Sequence, residues 1–123
     1  MRILNLTQHN ATIDQINAGV VDVDDPIKPL LNDLLTFNAI PDNWTLNYHA
    51  QDIVDLIRVR YPDFKIVMIG GAPFFMPVLT KVLKDAGYKV VFAFSRRESS
   101  EVTTDEGKVV KTQVFKHIGF VEV

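Results

Sequence analysis

Lys65 to Phe75, KIVMIGGAPFF, is the stretch that decides the fold. Its first part, Ile66 to Ile69, is a continuous apolar run rich in β-branched residues, which is typical of a central parallel strand covered on both faces. Gly70 and Gly71 end this run, and a helical pattern begins after Pro73. The stretch therefore predicts a ligand site at a strand end, but it specifies no substrate.

The residues that follow complete a parallel unit. A helix is predicted from Phe75 to Ala86 with Gly87 as its C-terminal stop, and Val90 to Phe94 is predicted as a second central strand. A strand, a helix and a strand within about thirty residues form a right-handed βαβ unit with parallel strands.

The C-terminal part of the chain has an antiparallel pattern. Glu101 to Thr104 and Lys108 to Phe115 are β-rich, and the turn Asp105-Glu106-Gly107 between them is typical of a hairpin. Ile118 to Val123 is predicted as another strand after a turn or bulge near Gly119. The sheet is therefore expected to be mixed.

The N-terminal part supplies the first strand and a short helix. Arg2 to Leu6 is predicted as a buried strand. Thr12 and Gln15 have the spacing of a capping box, which predicts a helix from about Ile13 to Ala18. Val20 to Asp25 is interpreted as an acidic connection.

Two longer helices are predicted between the first strand and the central one. The first begins at Asp25-Pro26, an N-cap followed by proline, and runs to about Phe37; the second runs from about Leu46 to Tyr61 and ends at Pro62. The sequence thus predicts a single α/β domain over residues 1–123. Its expected architecture is a Rossmann-like three-layer core with a mostly parallel sheet and an antiparallel C-terminal hairpin.

Composition excludes several classes of protein. The 123 residues are 47% hydrophobic and 23% charged, as expected for a globular domain. Thirteen basic and fifteen acidic residues give a net charge of -2, which argues against general nucleic-acid binding. The chain has no cysteine, which excludes disulfides and thiolate chemistry. No signal-peptide pattern or long apolar run is found, so a cytoplasmic protein without a membrane segment is expected.

The loops that follow three predicted strands are expected to meet at one edge of the sheet, where ligands bind in open parallel sheets. The first loop, Thr7 to Asn10, carries amides and an imidazole. The second, Gly70 to Pro73, carries glycines at a helix N-terminus, and the third, Ser95 to Ser99, carries two arginines. Glycine backbone, helix N-termini and arginine all favour an anion. The predicted ligand-binding residues are Thr7, Gln8, His9, Asn10, Gly70, Gly71, Ala72, Ser95, Arg96 and Arg97.

Each of these features also has a structural interpretation. Gly70 and Gly71 match neither the dinucleotide fingerprint nor a P-loop, so no cofactor is predicted and the glycines can serve a tight turn alone. Arg96 and Arg97 alternate sides on a strand, so only one can face the cleft and the other is expected to be solvated or paired with Glu98.

His9 is the candidate catalytic residue, because it follows the first strand and a histidine can titrate near neutral pH. The three histidines, His9, His49 and His117, lack metal-ligand spacing, so no metal site is predicted. Asp22, Asp24 and Asp25 are interpreted as a capping and solvated acidic loop rather than as a cation site.

Three strand ends carry a resemblance to a known family. The stretches from Leu6 to Gln15 (LTQHNATIDQ), Ile69 to Pro73 (IGGAP) and Ala93 to Ser99 (AFSRRES) resemble small uncharacterised proteins found in bacteria and their prophages. This resemblance covers nearly the whole chain and implies no activity. The first strand and its polar loop are also similar to the opening of small Rossmann-like CRISPR-associated proteins, some of which bind or cleave cyclic oligonucleotides as dimers. The chain departs from these in the three-helix region between its first two predicted strands.

Three functional hypotheses follow from the sequence. The leading one is binding of a small anionic ligand, a nucleotide, at the C-terminal edge of the parallel strands. The second is a metal-independent phosphodiesterase or ring nuclease in which His9 acts as acid or base, and the sequence does not decide whether the protein is an enzyme. The third is an interaction protein that forms a homodimer through its apolar C-terminal strands.

Overall fold

A five-stranded sheet with helices packed against it organises the chain. The structure is a computed structural model that describes residues 1–123. In chain order the elements are β1 (Ile3–Asn5), α1 (Ile13–Asn17), β2 (Val20–Asp22), α2 (Lys28–Leu35), α3 (Asn43–Arg60), β3 (Ile66–Met68), α4 (Met76–Asp85), β4 (Lys89–Thr103) and β5 (Val109–Glu122). None of the helices is both long and apolar enough to cross a membrane.

The strand order places β1 and β3 side by side at the centre of the sheet. The order is β2-β1-β3-β4-β5; the first four strands are parallel, and β5 is antiparallel to β4. The predicted parallel half and antiparallel hairpin are therefore confirmed. The chain leaves β1 toward β2 but leaves β3 toward β4, so the loops after β1 and β3 diverge at a topological switch point.

Alternation along the short strands builds two apolar clusters. Leu4, Val67 and Val90 are fully buried in the large core cluster, together with apolar residues of α2, α3 and α4. Their neighbours Ile3, Met68 and Val91 belong to a small cluster. Because successive side chains of a strand point to opposite faces, the two clusters lie on opposite sides of the sheet. The three longer helices therefore cover one face.

The N-terminal capping prediction is confirmed, and the connection after it requires a correction. Thr12 and Gln15 form the capping box of α1, with bonds of 3.2 and 3.0 Å. Val20 to Asp22 is not part of a loop but is strand β2, paired in parallel with β1. Three residues are too few to show strand alternation in a sequence.

The helix starts also differ from those predicted. Asp25-Pro26 does not open α2, because a turn in which the Asp24 carbonyl accepts from the Ile27 amide at 2.9 Å delays the helix to Lys28. α3 begins three residues earlier than expected, at Asn43, because Asp42 caps it by accepting from the Thr45 amide at 2.8 Å. Element boundaries of this kind depend on local hydrogen bonds rather than on apolar spacing.

The C-terminal hairpin is longer and more regular than predicted. β4 continues through the polar residues from Ser95 onward, so they form a strand and not a loop. β5 is likewise one strand, with Ile118 as an extra residue between the partners of Phe94 and Ser95. The bulge expected near Gly119 is thereby confirmed. Cross-strand pairing provides hydrogen-bond partners for the backbone of these polar residues. Their composition alone does not indicate this pairing.

Asp24 ties the end of β2 to the end of α3. Its carboxylate accepts hydrogen bonds from Arg60 and from the Tyr61 hydroxyl, and its amide donates to the Tyr61 oxygen at 2.9 Å. The pKa of Asp24 falls from 3.8 to about 2 in the folded chain. The hydrogen bond from Arg60 is the main cause, and the bond from the Tyr61 hydroxyl is the second. This carboxylate is therefore held by two partners of α3 and its C-cap, and the prediction that it belongs to a merely solvated loop is wrong.

The low pKa of Asp24 predicts that the fold loses stability at acidic pH. Because its pKa is lower in the folded chain, the charged form stabilises the fold above pH 3.8, and that stabilisation is lost as the pH falls toward about 2. In Asp24→Asn, the free energy of unfolding measured by urea denaturation should change less between pH 3.8 and about 2 than it does in the parent protein. Asp25→Asn removes a neighbouring carboxyl whose side chain is 96% exposed and serves as the control. Equal acid dependence in the two variants would contradict the assignment.

Candidate functional site

Asn5 at the end of β1 is the only buried polar residue of the chain, with 3% of its surface exposed. Its side-chain amide donates to the His9 carbonyl and to Asp22 Oδ1, each at 2.8 Å. Its side-chain oxygen accepts from the Thr7 amide at 2.9 Å and from the Thr7 hydroxyl at 2.7 Å. All four hydrogen-bonding positions of the amide are therefore occupied within the chain.

Asp22 completes the support of the loop after β1. Besides the bond from Asn5, its Oδ1 accepts from the Ala11 amide at 2.9 Å. Thr7 and His9 are held at one end of the loop and Ala11 at the other, so the loop has little freedom to change shape. A pre-formed loop is a favourable base for a binding site because less ordering is needed when the ligand arrives.

A cleft of about 320 Å³ opens where the loops after β1 and β3 separate, at the switch point of the sheet. Its polar lining comes from the first loop and from the start of α1, and its apolar lining comes from β3 and β4. Its volume is within the usual range for small-ligand pockets. We name it the switch-point cleft; it is lined by Thr7, His9, Asn10, Thr12, Gln15, Met68, Ile69, Gly70, Phe92 and Ala93.

The turn after β3 contributes free hydrogen-bond donors. The backbone amides of Gly70, Gly71 and Ala72 donate to no acceptor within the chain. The Ala72 carbonyl accepts from the amides of Phe75 and Met76, at 2.9 and 3.2 Å, which turns the chain into α4. Gly70 lies against the first loop, since a Cβ on it would come within 3.4 Å of the Thr7 methyl group. Gly70 of the turn therefore lies beside Thr7 of the first loop.

The structure brings together only some of the predicted site residues. Thr7, His9, Asn10 and Gly70 line the switch-point cleft, and Gly71 and Ala72 follow Gly70 in the same turn. The Gln8 side chain instead reaches Thr36 Oγ1 at 2.9 Å and does not line this cleft. A smaller polar cavity of about 20 Å³ lies on that side of the loop, bordered by Gln8 and Asp22 among others.

The third predicted loop does not reach the cleft. Ser95, Arg96 and Arg97 lie on β4 beyond the cleft residue Ala93 and are exposed. Arg96 pairs with Glu98 at 3.3 Å, which confirms the expected partner for one of the two arginines. Arg97 lies 5.2 Å over the ring of Phe115. Their part in ligand binding stays a prediction.

The three histidines occupy different surroundings. His9 is exposed at the mouth of the switch-point cleft. His49 is structural, because its Nδ1 lies 2.8 Å from the Leu34 carbonyl and its ring stacks on Phe37 with centroids 4.8 Å apart. His117 stands opposite Ser95 on the hairpin, packs edge-on against Phe120, and has a buried Nδ1 without a hydrogen-bond partner.

Sequence reasoning missed the residues that shape the site from beneath. The sequence prediction contains Asn5 only as part of the first buried strand, and it places Asp22 in a solvated acidic loop. A polar side chain inside a buried strand is itself a usable signal, because such a group must find partners. Thr12 and Gln15 were identified only as caps, although both also line the cleft.

The hydrogen bond between Asn5 and Asp22 can be tested by exchanging their amide and carboxylate side chains. Asn5→Asp places two carboxylate oxygens together and should lower the free energy of unfolding by more than about 2 kcal/mol in urea denaturation at neutral pH. Adding Asp22→Asn restores a donor between the two positions and should recover part of the loss. Asn38→Asp, at an exposed loop position, is the control. An Asn5→Asp variant as stable as this control would contradict the role of Asn5.

Comparison with known proteins gives a family but no activity. The family model described as "Uncharacterized protein MJ1673 family" matches residues 1–121. A search of curated proteins and a search of solved structures gave no significant match.

Proposed function

The chain belongs to the Uncharacterized protein MJ1673 family, and we propose that it binds a small anionic ligand, a nucleotide, in the switch-point cleft. One observation carries the proposal: three consecutive amides, those of Gly70, Gly71 and Ala72, lack an acceptor in the chain and adjoin a cleft at the switch point. Free amides at such a position are suited to the oxygens of a phosphate or carboxylate.

The helix that follows these amides adds to their preference for an anion. α4 begins at Met76 and is ten residues long, and its N-cap Phe75 provides no side-chain hydrogen bond. The positive end of its dipole therefore adjoins the turn without a competing side-chain acceptor. A ligand oxygen at Gly70 would gain both direct hydrogen bonds and this favourable field.

The remainder of the cleft suits the other parts of a nucleotide. Phe92 and Ala93 supply apolar surface for a base, whereas Thr12 and Gln15 supply a hydroxyl and an amide group for a sugar. Ligand pockets commonly combine an apolar wall with a few polar groups in this way. His9 at the mouth keeps open the alternative that the bound phosphodiester is also cleaved, with His9 as acid or base.

The fold class of the protein is also part of this proposal. The strand order supports a Rossmann-like classification in the broad sense of a doubly wound sheet, since the flavodoxin-like variant of such sheets has the order β2-β1-β3-β4 and binds its ligand at the switch point. The three-layer description, the cytoplasmic location, the bacterial or prophage setting and the similarity to CRISPR-associated proteins stay predictions of the sequence.

Gly70 provides the sharpest test of the binding site. Its φ is not positive, and a Cβ would meet only the Thr7 methyl group at 3.4 Å, so Gly70→Ala should fold normally. The added methyl group would enter the cleft and should weaken nucleotide binding at least about tenfold, or about 1.4 kcal/mol, in isothermal titration calorimetry against a panel of nucleotides.

Gly119→Ala is the matched control for this experiment, because its φ is also not positive and nothing lies within 4 Å of the added Cβ. This variant should bind as the parent does. If no phosphate-bearing ligand binds or raises the melting temperature of the parent protein, the proposed function is wrong. Product formation that is lost in His9→Ala while binding survives would favour the phosphodiesterase alternative.

A second proposal concerns self-association through the hairpin. Every residue from 99 to 116 is exposed, and a two-stranded ribbon without further packing is only marginally stable. Val102, Val110 and Val114 share one face by their cross-strand register, and each is at least 43% exposed. We propose that this face pairs with the same face of a second copy, which would form the predicted homodimer.

Neighbouring valines on opposite faces of the hairpin test this pairing. Val110→Glu places a charge on the proposed contact and should convert a dimer into a monomer in light scattering across a concentration series. Val109→Glu adds the same charge to the other face, at a side chain that is 61% exposed, and should leave the dimer intact. A parent protein that is monomeric at high concentration would exclude the pairing.

A further inference from the structure

We infer that the switch-point cleft takes a ligand with a single negative charge, such as a phosphodiester, without a divalent cation, and that it disfavours nucleoside polyphosphates. This inference rests on the proposed function, because it specifies the ligand of the same cleft. Its basis is the charge inventory of the lining and of the groups around it.

The lining of the cleft is almost free of formal charge. Of its ten residues, none is Asp, Glu, Lys or Arg, and His9 is the only titratable one. The donors available to an anion are instead neutral: the amides of the Gly70 turn and the hydroxyl of Thr12, since the Thr7 hydroxyl already donates to Asn5. Neutral donors can replace the water around one phosphodiester group, but they provide no balancing charge for three or four negative charges held close together.

The cationic side chains of Lys28 and Arg97 have partners outside the cleft. Lys28 donates to Asn10 Oδ1 at 3.0 Å, lies 3.6 Å from Asp25, and borders the small cavity on the other side of the loop. Arg97 shares the strand face of Ala93 by alternation, but it is four residues farther along β4, which corresponds to about 13 Å. A triphosphate bound at Gly70 would therefore lack an adjacent counter-charge.

Asp22, the carboxylate that supports the first loop, is also not available to hold a metal ion beside the ligand. Asp22 does not line the switch-point cleft, and its Oδ1 is already shared by the Asn5 side chain and the Ala11 amide. Magnesium bound with nucleotide phosphates usually requires one or two carboxylates. The donor set of the cleft, which consists of amides, hydroxyls and one imidazole, suits a metal-free anion.

A series of adenosine nucleotides separates this inference from the proposed function. Isothermal titration calorimetry would compare 3′,5′-cyclic AMP, AMP and ATP at matched ionic strength, each with and without magnesium chloride, and the guanosine series would check for an effect of the base. We expect the cyclic nucleotide to bind at least about tenfold more tightly than ATP. Magnesium should leave its affinity unchanged.

Other results would overturn the inference in recognisable ways. Tighter binding of ATP than of the cyclic nucleotide would contradict the single-charge preference, and loss of that binding in Arg97→Ala would assign the missing counter-charge to the hairpin. An affinity that rises with magnesium would contradict the metal-free ligand. In both cases the proposed nucleotide site would stand, whereas the absence of binding by every nucleotide would remove the proposed function itself.

Discussion

The site depends on a buried amide whose hydrogen bonds must all be satisfied within the chain. An unpaired amide at the position of Asn5 would cost about 1–3 kcal/mol, so the surrounding loop adopts the shape that supplies every partner. Thr7, His9 and Asp22 provide those partners. Burial of one polar side chain at a strand end thus determines the shape of the loop above it, and β2 is needed because it carries Asp22.

The elements with a long or strongly patterned sequence could be predicted. The central strand, α4 and the capping box of α1 follow from apolar runs, glycine positions and cap spacing that depend on neighbours in the chain. β2 could not be predicted in this way, because Val20 to Asp22 becomes a strand only through pairing with β1. The extension of β4 has the same origin, since its polar residues are strand only in the presence of β5.

The candidate site, like the fold, could be predicted only in part. The rule that loops after parallel strands converge placed Thr7, His9 and Gly70 correctly beside one another. The same rule includes Arg96 and Arg97 in the prediction, because the sequence predicts that their strand ends at Phe94. In the structure the chain continues past that point, so both arginines are carried away from the cleft. A strand end is therefore the least secure part of such a prediction, although the site depends on it.

The unbroken course of β4 has a further consequence. The strand provides Phe92 and Ala93 to the wall of the cleft and then continues, past the bulge opposite Phe94 and Ser95, as one arm of the hairpin. If the cleft binds a ligand and the hairpin binds a second copy, both events act on the same element. If dimerisation shifts that element and so changes the affinity for the ligand, ligand binding must change the affinity of dimerisation by the same factor. The affinity measured for a small molecule would then depend on the protein concentration at which it is measured.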